Sequence, residues 1–256
     1  MMSKVSKGME LYLDYIELNK RVPRGERVAT VLRAIDKCDP IAIVEFTGQV
    51  LINEDSQLTT IDFFELYFLR LFSAEAIPEV TGRGITLPSQ NPWLRVKSAA
   101  QIKLVNSIPE FEASYSDLTV KEKFNKLSNL ADRTSKQAGY QTTRETSAGP
   151  LQKLKGILAQ AKTIRALKGL DRWEVRQAKL NDDIRMGYDI MVTRNSEAAR
   201  LDVKTGPKVD LYPSPDKKTI YIVRMPTNLP HHNPFKARQN EAEFLATKID
   251  NILTRN

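Results

Sequence analysis

Two neighbouring segments near the C-terminus constrain this chain more than any other part of it. In GYDIMVTRNSEAARLDVKTG, residues 187–206, the stretches 188–194 and 200–205 alternate apolar and polar residues with the period of a half-buried strand. Only a short loop separates them, so they predict a hairpin, and a hairpin in water needs further strands or a covering helix to persist. The C-terminal part must therefore build a small sheet flanked by helices. Burying Ile190 and Val192 together with Leu201 and Val203 sets the parity of the register, which leaves Asp189, Asp202 and Lys204 on the opposite face.

Which residues stand opposite one another depends on the loop. A two-residue turn at Asn195 and Ser196 places Asp189 across from Asp202, whereas a four-residue loop, 195–198, places it across from Lys204. Carboxylates directly opposite repel, at a cost of a few tenths to about 1 kcal/mol, and a divalent cation between them removes that cost. Mg2+ suits such a pair, being a hard ion that takes one or two carboxylates and keeps water in its other positions. Lys204 adds a positive charge able to stabilise charge developing at phosphorus or to hold an attacking water. The same residues also read without chemistry, as exposed sheet residues with Lys204 and Arg200 as cross-strand partners of the aspartates.

The run GYDI, a spacer and LDVKT resembles the signature of the PD-(D/E)XK nuclease superfamily, in which an aspartate precedes a strand carrying an acid, any residue and a lysine. Asp189 matches the first aspartate, Asp202 the second acid and Lys204 the lysine, while Tyr188 stands where the family name has proline. The family commonly adds an acid from a preceding helix, and in DRWEVRQAKL the resemblance points to Glu174. The likeness spans residues 171–253. It implies a metal-dependent endonuclease that hydrolyses DNA phosphodiester bonds, with Asp189 and Asp202 as Mg2+ ligands, Lys204 stabilising charge or positioning water, and Glu174 as an accessory acid.

Upstream the pattern is mostly helical, which makes the chain α+β. It predicts helices at 5–19 and 25–34, a strand pair at 41–46 and 50–52, and a helix opened by Thr59 with Asp62 three residues on. A Pro- and Gly-broken stretch at 76–109 reads as loop, followed by a helix from Ser116 or Asp117 to 135. Phe63, Leu66, Phe68, Leu69 and Phe72 read as core, because only Arg70 lies among them and a base-stacking platform needs exposed rings mixed with cations. QAGYQTTRETSAGP, residues 137–150, has a linker's composition. It separates a mostly helical domain at 1–136, for assembly or DNA binding, from an α/β domain at 151–256.

That second domain is expected to open with a helix whose stripe Leu151, Leu154, Ile157, Leu158, Ala161, Ile164 and Leu167 is apolar. Lys153, Lys155, Lys162, Arg165 and Lys168 fall largely off the stripe and read either as a solvated face or as a surface for phosphates. A helix at 171–183 should follow, then the hairpin, strands at 209–212 and 219–224, and a last helix at 235–253 with Phe244, Leu245, Ile249 and Ile252 inward.

A formal charge of +8 favours a polyanionic partner, which the resemblance makes DNA before RNA, and a homo-oligomer or larger assembly is compatible with it. No apolar run reaches the roughly 20 residues that cross a bilayer, and the N-terminus lacks the apolar core of a signal peptide, so a cytoplasmic protein without membrane contact is expected. Cys38 is the only cysteine, which excludes intrachain disulfides and a Cys-rich zinc site. His231 and His232, between prolines, read as loop surface; TGRG at 81–84 lacks the ending of a phosphate loop. Two readings compete with the endonuclease: a non-enzymatic structural or assembly protein, viral or phage in type and associated with nucleic acid, and a basic DNA-binding regulator.

Overall fold

A computed structural model describes residues 5–20, 35, 39–54, 58–77, 92–140, 149–217 and 219–254. The predicted helix at 25–34, Cys38, TGRG and most of the predicted linker lie outside the described residues. The fold is α+β, with eight helices and one five-stranded mixed sheet among the described residues, the sheet lying in the C-terminal half. The chain divides into two compact units, residues 1–104 with 127–150 and residues 105–126 with 151–256. Segment 105–126, assigned from sequence to the N-terminal domain, thus groups with the sheet. Among the described residues no helix is long and apolar enough to cross a membrane.

The first unit contains α1 (Lys7–Asn19), α2 (Pro40–Glu54) and α3 (Thr60–Ala76), with parts of α4 (Pro92–Ser114) and α5 (Val120–Gln137). Residues 41–46 and 50–52 are helical rather than strands. Pro40 sits in the first turn, where its missing N–H costs nothing, and Asp39 Oδ1 accepts from the Ala42 N–H at 3.0 Å. Ile41, Ile43 and Val44 have strand-forming side chains, but Ala42, Ile43, Phe46 and Val50 make one buried helical stripe, and burial decides. Gly48 is no turn: a Cβ there would lie 2.7 Å from Arg70 Nη1, which donates to the Val44 carbonyl at 2.6 Å.

Thr59 caps α3, its Oγ1 accepting from the Asp62 N–H at 3.3 Å and donating to the Asp62 carboxylate at 2.6 Å. Phe64, Leu66, Phe68, Leu69 and Phe72 are enclosed, whereas Phe63 is half-buried. Residues 92–109, predicted as loop, belong to α4; Pro92 opens it, and Pro109 stands inside it with its ring exposed. The next helix starts later than predicted. Thr119 and Glu122 cap each other there, the Thr119 N–H donating to Glu122 Oε2 at 2.8 Å and the Glu122 N–H to Thr119 Oγ1 at 3.3 Å.

The second unit holds α6 (Pro150–Lys168) from Leu151 on, with β1 (Glu174–Gln177), α7 (Leu180–Met186), β2 (Ile190–Arg194), β3 (Glu197–Thr205), β4 (Asp210–Pro213), β5 (Ile220–Met225) and α8 (Gln239–Leu253). Residues 171–183 are therefore not one helix. Trp173 and Val175 are buried on alternate positions between exposed neighbours, a period of two that a strand satisfies by pairing with β2. The sheet order is β1-β2-β3-β5-β4, with β1, β2 and β3 an antiparallel meander, β5 parallel to β3 and β4 antiparallel on the outer edge. Arg194 pairs with Glu197 and Ile190 with Leu201, so the hairpin takes the two-residue turn, with Asn195 at φ 56°.

One face of the sheet forms the core. Val175, Ile190, Val192, Leu201, Val203, Leu211 and Val223 pack with Leu245, Ala246, Ile249 and Leu253 of α8 and with Ala159 and Leu167 of α6. Each large aliphatic side chain enclosed here stabilises by about 1.5–3 kcal/mol. Phe244, predicted inward, is 38% exposed and lies under the Lys248 ammonium, 5.6 Å from its ring centre.

Candidate functional site

The site forms where β2 begins. Gly187 ends α7 with φ 67°, its N–H bonded to the Asp183 carbonyl at 2.9 Å, and a Cβ would be strained in that backbone. The β2–β3 ladder stops at Ile190 and Leu201. Asp189 still sends its N–H to the Leu201 carbonyl at 2.8 Å, but the next ladder position is taken by its side chain, Oδ2 accepting from the Val203 N–H at 2.7 Å. Oδ1 accepts from Gln160 Nε2 of α6 at 2.7 Å. Since a strand's N–H points within the sheet, the carboxylate lies near the sheet plane. It does not stand out from the face, as strict alternation had predicted.

Asp202 and Lys204 do project from the outer face, joined by a 2.8 Å ion pair, the lysine side chain 58% exposed and the aspartate 22%. Asp189 keeps some surface as a residue, but its carboxylate is enclosed. Burial pushes its pKa up to about 8; the Val203 N–H works against that rise, Asp202 and Asp183 reinforce it, and Lys204 opposes it. Partial burial disfavours the Lys204 ammonium, yet the bonded Asp202, with Asp189 and Asp183, outweighs it and raises its pKa. Asp183, Asp189, Asp202 and Lys204 thus influence one another electrostatically.

The divalent cation that the sequence pattern implies would be held by Asp189 and Asp202. A buried carboxylate without full cationic compensation is a group that such an ion neutralises, and Asp202 supplies a second hard oxygen donor. Among the described residues no three His, Cys, Asp or Glu side chains gather as a metal-binding group.

Glu174 is not brought to the site and is not on a helix. It lies on β1, opposite Thr193 and bonded by Arg176 Nε at 2.7 Å, and Thr193 is four residues, about 13 Å, along the chain from Asp189. The side chain that a preceding helix presents is Gln160, which sequence reading passed over because it carries no charge. Its signal was an amide between Ala159 and Ala161 on a helix otherwise rich in leucine and isoleucine.

The five cations of α6 do not form one face. Lys162 has no exposed surface: its Nζ donates to the Pro226 carbonyl at 2.9 Å and pairs with Glu241 at 3.2 Å, so it is a core residue and not a phosphate contact. Burial pulls its ammonium below the ordinary range, with Glu241 opposing that pull. Glu241 also accepts from the Arg238 N–H at 2.9 Å, and His232 Nδ1 lies 3.2 Å from it, so His232 is tied to this cluster rather than free on a loop. Arg165 pairs with Glu112, Lys168 is exposed, and Lys153 and Lys155 are half-buried. No family model, curated protein or solved structure matches the chain.

Proposed function

We propose that this chain is a magnesium-dependent endonuclease hydrolysing DNA phosphodiester bonds, acting in the cytoplasm. The observation that carries the reading is the enclosed Asp189 carboxylate, fixed by Gln160 and the Val203 N–H and within reach of the charges of Asp202 and Lys204. Its relation to the PD-(D/E)XK nucleases is supported by the placement of the residues: a strand, β1, precedes the aspartate segment, and Asp202 and Lys204 share one face of the next strand. Asp189 and Asp202 would hold the ion, which supplies Lewis acidity toward a phosphoryl oxygen and a more acidic water.

The chain's own groups do the rest. Gln160 orients Asp189, and its amide can present either nitrogen or oxygen as the carboxyl gains or loses its proton. Lys204, kept charged by its acidic neighbours, offers a preorganised positive charge to an oxygen that becomes more negative in the transition state. Plasmid should be nicked in Mg2+ and left intact in chelator. Asp202→Ala and Lys204→Ala should each lower the rate by about a hundredfold or more.

A non-enzymatic assembly protein is the second reading, favoured by the Asp202–Lys204 ion pair, which satisfies both residues without a substrate. Neither binding nor cleavage of nucleic acid would support it, and binding that survives both substitutions without cleavage would point to a DNA-binding regulator.

A further inference from the structure

The face of the sheet opposite α6 and α8 bears side chains that the proposed hydrolysis does not use. Pairing across β3, β5 and β4 sets Arg200 beside Ile220 and makes the rows Asp202–Ile222–Tyr212 and Lys204–Arg224–Asp210. All share the outer parity. Arg224 lies over the Tyr212 ring, 5.2 Å from its centre, and Arg200 over the Tyr188 ring at 6.0 Å. Arg224 and Lys204 are exposed, and Arg200, Ile222 and Tyr212 are half-buried. Among the described residues neither arginine is ion-paired with a carboxylate, unlike Lys204 and Arg176.

We propose that this face is a platform for single-stranded nucleic acid, leading the strand over Asp202 and Lys204. The inference rests on the nuclease reading for the class of ligand, and charge and shape choose within that class. A guanidinium lying on a tyrosine has its second plane free to stack on a base, while its N–H groups remain available to phosphate. The Arg224–Tyr212 pair gives one such surface; Arg200, hydrogen-bonded at the buried Tyr188 about 13 Å away along the strands, adds a cation beyond Asp202 and Ile222, leaving room for roughly two or three bases. Stacking of this kind needs splayed bases. A duplex hides its base faces and would meet only the cations, whereas a single strand meets cations, rings and the apolar Ile222 together.

The test is an anisotropy titration of the full chain in chelator, so that cleavage plays no part. The probes are a labelled oligodeoxythymidylate of about 20 nucleotides and a duplex of the same length. Single strand should bind about tenfold or more tightly than duplex. Tyr212→Ala should weaken it about tenfold with the salt dependence unchanged, and Arg224→Ala about tenfold with a log–log salt slope shallower by about 1. Arg224→Lys should keep the slope and still bind more weakly than the parent chain. Circular dichroism of each variant separates lost binding from lost fold.

Duplex binding as tight as single strand, or parental affinity in both Tyr212→Ala and Arg224→Ala, would overturn the platform. In either case plasmid nicking in Mg2+ can still stand. Conversely, selective single-strand binding by a chain that never nicks would uphold the platform and remove the nuclease.

Discussion

An aspartate with one oxygen on Gln160 and the other on the Val203 N–H, in a pocket that pushes its pKa up to about 8, makes stability depend on pH. The unfolded value is about 3.9, so the folded chain holds the proton longer. Its contribution is fully present below the unfolded pKa and is lost as pH rises toward the folded one. Asp189→Asn keeps the shape, can satisfy both partners and cannot ionise. Denaturant unfolding should therefore show the variant gaining stability on the parent between pH 5 and pH 8, and a difference that stays flat would mean that Asp189 ionises normally. Lys162 makes the second prediction at this scale. Lys162→Ala or Lys162→Met leaves Glu241 enclosed without its ammonium and should cost about 3–5 kcal/mol, read as a lower denaturation midpoint. Nucleic-acid affinity of the folded fraction should not change. Neither Lys162 nor Gln160 could be placed from sequence, because a helix that is buried on most sides has no polar stripe to betray which polar residues point inward.

At the scale of elements, what was legible followed from period and turn chemistry. The hairpin was readable because Asn195 and Ser196 separate two alternating runs, and an asparagine tolerates the positive φ that the turn demands. Thr59 with Asp62 announced α3 for a similar reason, a local bond visible in the spelling. The run 41–46 misled because a short, wholly apolar stretch fits a buried strand and a buried helix equally well, and only its partners choose. Prolines misled in α4: Pro109 loses one helix hydrogen bond, but it is exposed and the helix continues. Its cost should be recoverable. Pro109→Ala is expected to raise stability by about 1–3 kcal/mol, measured as a higher thermal midpoint, and an unchanged or lower midpoint would mean that the backbone there is bent to the proline's advantage.

For the whole molecule, the charge of +8 proved a poorer guide than the placement of individual cations. Lys162 is neutralised inside the core and Arg165 is tied to Glu112, while Arg200, expected to pair with an aspartate, and Arg224, which no pattern singled out, lie beside tyrosines on the outer face of the sheet. The change of unit at Pro150 and Leu151 coincides with the end of a Gly-, Ser- and Thr-rich stretch, but the recruitment of 105–126 depends on contacts distant in sequence.

Among the described residues the sheet is open, with β1 and β4 at its two margins. Unpaired margins recruit strands from other molecules unless charge or proline forbids it. On β1 the guard is the Glu174–Arg176 pair; on β4 it is Pro213. Glu174→Val with Arg176→Val should leave the melting temperature nearly unchanged yet raise light scattering during refolding, and clear solutions would show that the margin is protected by other means. On this geometry Glu174 keeps one copy of the chain from annexing the next.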